Sequence, residues 1–301
     1  MRKRLEYLAA WVALKTLGLL PRNAARAAGA GIVGLAFRFR PLLGRVADFN
    51  LRLAFPEWNQ ARRNEVVRKM VRNIGWMAGE FSQFPKYTAR NISDVVIVDG
   101  EENYLCALRR GKGVLFLTGH MGAWELSSFA HALYGYPCHF LVRAVDNVRV
   151  DALINRYRSL SGCAVIEKNE SARSMMRVLR AGGAVGILAD QNTALNEGVF
   201  VDYFGVPACT TSGLARVALR TGAPVVPGYA IWDDGIGKYR LIFERVIEPL
   251  QTGDEEQDVR SNTARYTKVV ENFARNHPDQ WLWVHKRWKT RPLGESPIYP
   301  F

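Results

Sequence analysis

From about residue 95 onward, the apolar positions of the chain follow two alternating patterns. Short runs of strand-forming residues are separated by stretches in which apolar residues recur every three or four positions. The predicted strands are Val95–Val98, Val114–Thr118, His139–Val142, Ala164–Ile166, Val185–Ala189 and Val225–Tyr229. The predicted helices are Glu101–Arg110, Trp124–Leu133, Arg149–Leu160, Ser171–Arg180 and Ser212–Arg220. Strands and helices alternating at this spacing predict an α/β fold, with a mostly parallel sheet covered by helices on both faces.

Longer helical patterns lie on either side of this region. From Gln60 to about Phe84, apolar residues recur every three or four positions, which predicts an amphipathic helix packed on a core. Glu255–Asn276 predicts a second, more highly charged helix. Tyr239–Phe243 alternates apolar and polar residues, which is typical of an antiparallel strand, and we expect it at an edge of the sheet.

The N-terminus contains two apolar segments with basic flanks. Three cations, Arg2 to Arg4, precede a mostly apolar stretch of about sixteen residues, and a second apolar run covers Ala24–Phe39. A secretory signal peptide would share the basic start. However, Glu6 and Lys15 interrupt the first stretch, and Pro21-Arg22-Asn23 is a poor cleavage site, so we do not interpret it as one.

These segments predict contact with a membrane. The first is marginal as a spanning helix, because a span needs about 20 apolar residues. Basic-flanked apolar helices with aromatic residues such as Tyr7 and Trp11 favour shallow insertion instead. Two ordinary core helices are the alternative. We therefore predict a membrane-associated helical anchor over residues 1–45, followed by one α/β domain over residues 46–301.

Composition limits the classes of binding partner that the protein can have. Hydrophobic residues make up 48% of the 301 residues, enough for a large core, and the net charge of +13 predicts an anionic partner. Acidic lipid headgroups, an acidic carrier protein and nucleic acid all fit that charge. The four cysteines lie far apart with no C-x-x-C spacing, which argues against a zinc site and a disulfide framework.

The stretch from Gly111 to Leu126 is the candidate for chemistry. An apolar run reaches Gly119, His120 follows, and a helical pattern begins near Trp124, so His120 lies at the carboxyl end of a strand, where α/β proteins bind ligands.

His120 and Glu125 would lie about 140° apart on one continuous helix. They meet only if His120 precedes the helix and Glu125 lies in its first turn, with Gly119 and Gly122 permitting the bend. Glu125 would then fix one imidazole nitrogen and leave the other facing the cleft as a general base. A structural histidine is the alternative.

Other common catalytic arrangements do not match the sequence. It contains no G-x-S-x-G elbow, no G-x-x-x-x-G-K-[ST] phosphate loop and no G-x-G-x-x-G after a predicted strand. The remaining possibility is that His120 deprotonates a substrate hydroxyl directly, and that the alcohol attacks a bound ester or thioester.

At this point the residues match a known family. His120 and Glu125 resemble the H-x-x-x-x-[DE] signature of glycerolipid-type acyltransferases. The rest of the chain resembles the lipid A biosynthesis branch, the Kdo₂-lipid A lauroyl/myristoyl acyltransferases, over nearly its whole length. The further matching blocks are Arg143–Asn147 with Asp151 and Arg158, Ala189–Gln191, Phe204–Ala208 with Thr211 and Gly213, Thr221–Pro227, and Gln280–Pro292.

The resemblance implies a glycerolipid acyltransferase-like fold and assigns residue roles. His120 is expected as the general base, Glu125 as its orienting partner, and Arg158 as the ligand of a lipid phosphate or of the developing oxyanion. Asp190, at another strand end, is expected in the same cleft. The expected substrate-binding residues are Arg143, Asn147, Gln191, His285 and Arg287. Arg158 as a surface cation, Asp190 as a cap and Asn147 as a turn former are alternatives. No metal or cofactor is expected.

The implied reaction moves a fatty acyl chain from an acyl-carrier-protein thioester to a hydroxyl of a lipid A precursor, an anionic glycolipid. The implied location is the inner membrane, with the catalytic domain facing the cytoplasm and with no nucleic-acid partner. Acyl-CoA is an alternative donor. A lysophospholipid, an ornithine lipid or a glycosylated phosphatidylinositol is an alternative acceptor, and a non-catalytic basic membrane-binding module is an alternative of another class.

Overall fold

The computed structural model describes residues 1–136, 138–142, 144–167 and 171–301, without the side chains of Glu167 and Ser171. The α-helices in these ranges are α1 (Arg2–Leu19), α2 (Arg22–Phe39), α3 (Pro41–Ala54), α4 (Gln60–Gln83), α5 (Glu101–Leu108), α6 (Trp124–Leu133), α7 (Val148–Arg158), α8 (Ser171–Arg180), α9 (Gly213–Thr221) and α10 (Glu255–Asn276). The strands are β1 (Val96–Asp99), β2 (Val114–Thr118), β3 (Cys138–Val142), β4 (Ala164–Glu167), β5 (Ala184–Leu188), β6 (Gly198–Tyr203), β7 (Val206–Thr211), β8 (Val225–Asp233) and β9 (Lys238–Phe243).

The main sheet has the order β1-β9-β8-β2-β5-β3-β4 within the described residues. The neighbours from β8 to β4 pair in parallel, whereas β9 runs antiparallel to β8 and β1 pairs in parallel with β9. The predicted mostly parallel α/β sheet is therefore confirmed. The prediction that Tyr239–Phe243 is antiparallel is confirmed too, but its placement at an edge is wrong, because β1 lies outside β9.

Helices cover both faces of this sheet, as the alternating pattern predicts. Along β2, Leu115 and Leu117 pack into a core with α8, α9, α10 and the C-terminal tail. Val114 and Phe116 point to the other face and pack with α5, α6 and α7. All five residues of β2 are buried, as expected for a central strand between two helical layers.

A two-stranded hairpin, β6 with β7, was not predicted from the sequence. Its turn consists of Phe204 and Gly205, both with positive φ (57° and 79°). Such two-residue turns usually carry Asn-Gly or Asp-Gly, and a phenylalanine in that position gives no turn signal. Tertiary contacts stabilise it here: the Phe204 N–H donates to Glu271 (2.9 Å), and Arg275 lies over the Phe204 ring.

The N-terminal helices pack on α4. The Arg26 guanidinium lies between the rings of Trp76 (4.0 Å) and Trp232 (3.8 Å), and Arg22 forms an ion pair of 2.7 Å with Glu80, which is fully buried. Two of the N-terminal cations are thus used inside the fold. Among the residues that the structure describes, no helix combines the length and the apolar character that crossing a bilayer requires.

Glycines set the spacing between α2 and α4. A Cβ atom on Gly29 would lie 2.3 Å from the carbonyl oxygen of Gly75, and one on Gly75 would lie 2.4 Å from the Cα of Ala30. These distances are far below van der Waals contact, so the two backbones can pack this closely only where side chains are absent.

We expect Gly75→Ala to destabilise the protein by about 1–3 kcal/mol, because the added methyl group overpacks the α2–α4 contact. Gly31→Ala, on the same helix as Gly29, is the matched control, because no atom lies within 4 Å of its added Cβ. The control should instead gain about 0.5–1 kcal/mol from helix propensity. Denaturant unfolding of the two variants measures both values, and equal stabilities would refute the close contact.

Candidate active site

Two neighbouring strands deliver the central residues of the site. The strands β2 and β5 pair in parallel with Thr118 opposite Leu188, so both chains leave the sheet at the same level. His120 follows β2 by two residues and Asp190 follows β5 by two residues. This register places Asp190 beside His120 at one edge of the sheet, as the sequence predicted.

Asp190 is a buried carboxylate with several donors. Its Oδ2 accepts the backbone N–H of His120 (2.8 Å) and the Nε1–H of Trp281 (2.9 Å), while Oδ1 lies 2.8 Å from Nδ1 of the His120 ring. Only 1% of the residue is exposed. Burial alone would raise the pKa of Asp190, but the charge and hydrogen bonds of His120 outweigh it and lower the pKa to about 2. The carboxylate is therefore ionised at neutral pH.

This carboxylate decides the state of the His120 ring. With Nδ1–H donated to Asp190, Nε2 is the basic nitrogen, and the amide nitrogen of Gln191 lies 3.2 Å from it as a donor. Burial disfavours the imidazolium, yet the charge of Asp190 outweighs it, so the pKa of His120 lies above its ordinary 6.5. A substrate hydroxyl that replaced the Gln191 amide would meet the lone pair of Nε2.

The loop that carries His120 is pinned from two directions. The carbonyl oxygen of His120 accepts the N–H of Leu282, and the N–H of Gly122 donates to Gln280 (2.7 Å), so the C-terminal tail pairs with the loop. Gly122 has φ +53°, and a Cβ there would lie 2.0 Å from the carbonyl oxygen of Ala230 in β8. The predicted bend before α6 therefore exists and requires glycine at this position.

Glu125 has a different partner from the one predicted. It lies in the first turn of α6, as expected, but both of its carboxylate oxygens bind Arg158, at 2.8 Å to Nε and 2.6 Å to Nη2. The predicted His120–Glu125 pair is thus replaced by His120–Asp190. The physical reason is that α7 places a guanidinium beside Glu125, and a bidentate ion pair satisfies both oxygens at once. Burial opposes the charge of Arg158, but Glu125 outweighs it and raises the Arg158 pKa.

A cavity of about 670 Å³ opens at these residues. Its polar lining includes His120, Glu125, Arg158 and Gln191, together with Asn192, Thr193, Asn196, Glu197, Ser212 and Arg216. Its apolar lining comes from the strand ends and from helices on both faces of the sheet: Phe140, Leu141, Val142, Ala164, Val165, Met175, Ile187, Leu188 and Leu214. The cavity therefore joins a base and an ion pair to a wall that suits a hydrocarbon chain.

Comparison with known proteins agrees with this geometry. The family model for bacterial lipid A biosynthesis acyltransferases matches residues 2–290. The chain belongs to this family. It is 27% identical to a lipid A biosynthesis lauroyltransferase of Escherichia coli K12, over 98% of this chain and 95% of the relative. Identity is 28% to a palmitoleoyltransferase of the same organism (86% and 84% covered) and 26% to its myristoyltransferase (91% and 88% covered).

As an acyltransferase of this family, the protein brings five of the predicted site residues together: His120, Glu125, Arg158, Asp190 and Gln191. Of the others, Arg143 lies outside the described residues. The described residues also contain no cluster of three potential metal ligands.

The remaining predicted substrate-binding residues of the acyltransferase are not among the residues that line the cavity. Asn147 caps α7 and donates to the carbonyl oxygen of Lys3 (2.7 Å). His285 accepts the N–H of Asn192 at Nε2, and burial lowers its pKa to about 4. Arg287 is completely buried and donates to the carbonyl oxygen of Cys209 (3.0 Å). In this structure His285 and Arg287 of the tail therefore support the site from behind, whereas the sequence predicted them as substrate-binding residues.

Trp281 contributes to the site through a polar contact that the sequence did not predict. The indole N–H of Trp281 donates to Asp190, and the backbone of Trp281 forms an antiparallel β-bridge with Met121 in the loop that carries His120. No local spacing signals this contact, because 91 residues separate Trp281 from Asp190. The ring of Trp124 lies edge-on to the His120 ring, with 5.3 Å between the ring centroids, and Trp124 lines the cavity.

The His120–Asp190 pair generates a pH prediction. Only neutral His120 can act as a base, so kcat/KM should rise with pH through the elevated pKa of His120 and level off above it. Asp190→Asn removes the carboxylate that favours the imidazolium, so the acid limb should move to lower pH, and the plateau should fall by about 10²–10⁴. Glu125→Gln is the matched control. It should move the acid limb less, because the charge of Glu125 raises the pKa of His120 less than the charge of Asp190 does.

The measurement is the pH dependence of acyl transfer, with thermal unfolding to confirm that each variant is folded. If Glu125→Gln moved the acid limb further than Asp190→Asn, the assignment of Asp190 as the orienting residue would be refuted.

Proposed function

We propose that this protein transfers a fatty acyl chain from an acyl-carrier-protein thioester to a hydroxyl group of a lipid A precursor, with His120 as the general base. The observation that carries the proposal is the state of the His120 ring. Asp190 fixes Nδ1, and His120 lines a cavity whose lining also contains many apolar side chains. A base beside a hydrocarbon site is what O-acylation needs.

The reaction follows from this placement. A hydroxyl at Nε2 gives its proton to His120 as its oxygen attacks the thioester carbonyl. The C–O bond forms, the tetrahedral intermediate collapses, and the C–S bond breaks. The imidazolium then returns the proton to the thiolate, which leaves as a thiol. Asp190 stays ionised throughout and stabilises the imidazolium between the two steps.

Arg158 is the cation of the cavity lining that pairs with Glu125. Its three guanidinium nitrogens donate to Glu125 and Asn155, and both its side chain and that of Glu125 are partly exposed, at 19% and 18%. A lipid phosphate or the oxyanion of the intermediate would bind the guanidinium in competition with Glu125. We therefore assign Arg158 to the charge of the acceptor or of the intermediate, and Glu125 to holding Arg158 in position.

The proposed acceptor is inferred from the relatives, and the proposed donor from the charge of the chain. Proteins named as lipid A biosynthesis lauroyl-, palmitoleoyl- and myristoyltransferases match most of this chain, which supports lipid A as the acceptor class and a medium or long acyl chain. An acidic carrier protein as donor agrees with the net charge of +13.

We further propose that the N-terminal helices lie on the cytoplasmic face of the inner membrane. The helix α1 buries one side against the protein, yet Leu5, Leu8 and Val12 on its other side are 62%, 53% and 46% exposed. On α2, Ile32 and Phe39 are 54% and 75% exposed. Apolar residues on an outer helix face, with cations beside them, suit an anionic lipid surface.

The loop before α7 extends this surface toward the cavity. Val145 and Val148 are exposed, at 40% and 76%, and Asn147 between them is bonded to Lys3 and Glu6 of α1. The strand β3, which precedes the loop, ends at Val142 in the cavity wall. A bilayer at this surface would present lipid headgroups beside the entrance to the site. The division of the chain at residue 45 remains a prediction.

The decisive experiment is intact-lipid mass spectrometry on membranes of a host that lacks its own late lipid A acyltransferases. The unaltered protein should add one acyl mass to lipid A, and His120→Ala should add none, because loss of a general base costs about 10²–10⁴ in rate. His139→Ala, a histidine outside the site, is the matched control and should retain activity.

A new acyl mass on another lipid would support the proposed acyl transfer but show that the acceptor is not lipid A. Unchanged lipid A acylation by a folded His120→Ala protein would refute the mechanism.

The membrane surface predicts a second result. Replacing Leu8 and Val12 together with serine should weaken binding to vesicles containing phosphatidylglycerol by about tenfold, because less apolar surface is buried. The control is serine at Leu195 and Leu293, which are 51% and 93% exposed outside this surface. Co-sedimentation with vesicles measures both, and an equal loss in the two double variants would count against a defined bilayer-binding face.

A further inference from the structure

The helix α8 carries arginines on one side and apolar residues on the other. Arg173, Arg177 and Arg180 follow one another at spacings of four and three residues, and all three are exposed. On the opposite side, Met175 and Leu179 are buried, with 3% and 0% exposure. The helix therefore presents a row of cations to solvent while its inner side packs on the sheet.

The neighbouring helix α9 extends this basic surface. It packs against α8 and exposes Arg216 and Arg220, one helical turn apart. Neither α8 nor α9 contains an aspartate or glutamate. We call the surface formed by Arg173, Arg177, Arg180, Arg216 and Arg220 the α8–α9 basic surface.

Most of these cations are not used to stabilise the fold. Among the described residues, Arg173, Arg177, Arg180 and Arg220 form no ion pair, and Arg216 makes one long contact of 3.4 Å with the exposed Glu255. Five arginines this close together repel one another, which costs stability unless an anionic partner binds. Their arrangement therefore points to an external ligand.

The nature of the surface separates two kinds of partner. The proposed bilayer face combines cations with exposed leucine, valine and phenylalanine side chains. Over their described residues, α8 and α9 expose no large apolar side chain. A lipid surface gains affinity from both charge and apolar insertion, whereas guanidinium–carboxylate hydrogen bonds can recognise an acidic protein without apolar insertion. The α8–α9 basic surface fits the protein better.

Both helices also form part of the catalytic cavity. Met175 of α8 and Gly213, Leu214 and Arg216 of α9 belong to its lining, whereas the bilayer face adjoins the cavity near Val142. A partner bound on α8 and α9 would thus lie at another side of the same cavity. A thioester extending from that partner would enter beside the wall that suits its acyl chain.

We propose that the α8–α9 basic surface docks the acidic carrier protein that delivers the acyl thioester, separately from the face that receives the lipid acceptor. This inference rests on the proposed function, because it names the binding surface of the proposed donor. It adds that donor and acceptor approach the cavity from different sides, so that both can be bound when the acyl chain is transferred.

The test reverses the charge of the α8 row. Arg173→Glu, Arg177→Glu and Arg180→Glu are combined in the full-length protein, and binding of fluorescently labelled acyl carrier protein is followed by anisotropy. We expect affinity to fall by about tenfold or more and the unaltered protein to lose affinity with added salt. The control reverses three exposed arginines elsewhere, Arg68, Arg90 and Arg260, and should bind normally.

Transfer assays separate this inference from the proposed function. With acyl carrier protein as donor, the α8 variant should lose kcat/KM by a similar factor. With a neutral N-acetylcysteamine thioester as donor, it should match the unaltered protein, because that donor has no charge to recognise. Carrier binding that is equal in the α8 variant and the unaltered protein overturns the inference, whatever the transfer rates.

Loss of vesicle binding by the α8 variant, with carrier binding intact, would also overturn it and assign the surface to lipid. If the unaltered protein bound the carrier but transferred no acyl chain from either donor, the proposed function would fail while the docking surface stood.

Discussion

The buried carboxylate of Asp190 is the constraint on which the site depends. An ionised group with 1% exposure is tolerated only when donors replace the water it has lost. Here these donors come from separate parts of the chain: the backbone and ring of His120 after β2, and the indole of Trp281 in the tail. Hydrogen bonds to a charged group contribute about 1.5–3 kcal/mol each, so the same contacts that satisfy Asp190 also fix the loop that carries His120.

This constraint explains why the aromatic and basic tail lies inside the protein. Trp281 must reach Asp190, and the tail then continues with Leu282 bonded to the His120 carbonyl and with Arg287 donating to β7. A fully buried guanidinium costs solvation free energy, which its hydrogen bonds and the facing ring of Tyr203 (4.9 Å) partly offset. The charge of Arg287 therefore acts on the interior of the protein, whereas Lys289 of the same tail is exposed to solvent.

The limits of sequence reasoning follow from the range of each interaction. Periodicity is local, so β2, α6, α8 and α10 were predicted with the boundaries that the structure shows. Asp190 was also predicted in the cleft, because the carboxyl ends of neighbouring parallel strands share one edge.

The partner of Glu125 depends on where α7 packs, 33 residues further along the chain, and no spacing rule contains that information. The Phe204-Gly205 turn was not predicted for the same reason, because its unusual backbone is stabilised by Glu271 of α10, which is distant in sequence.

The distribution of charge over the surface also depends on which side chains are held inside the fold. Near the N-terminus, Arg22 and Arg26 are drawn inward by Glu80 and by the rings of Trp76 and Trp232, which leaves an outer face of apolar residues with the remaining cations at its border. On α8, the inner positions belong to Met175 and Leu179, so its arginines can only face solvent. One cavity thus lies between a face with apolar and cationic groups and a face with cationic groups alone. Under the proposed function, such a difference would let a lipid acceptor and an acidic carrier bind to separate surfaces, whereas on a single uniform basic surface the two would compete.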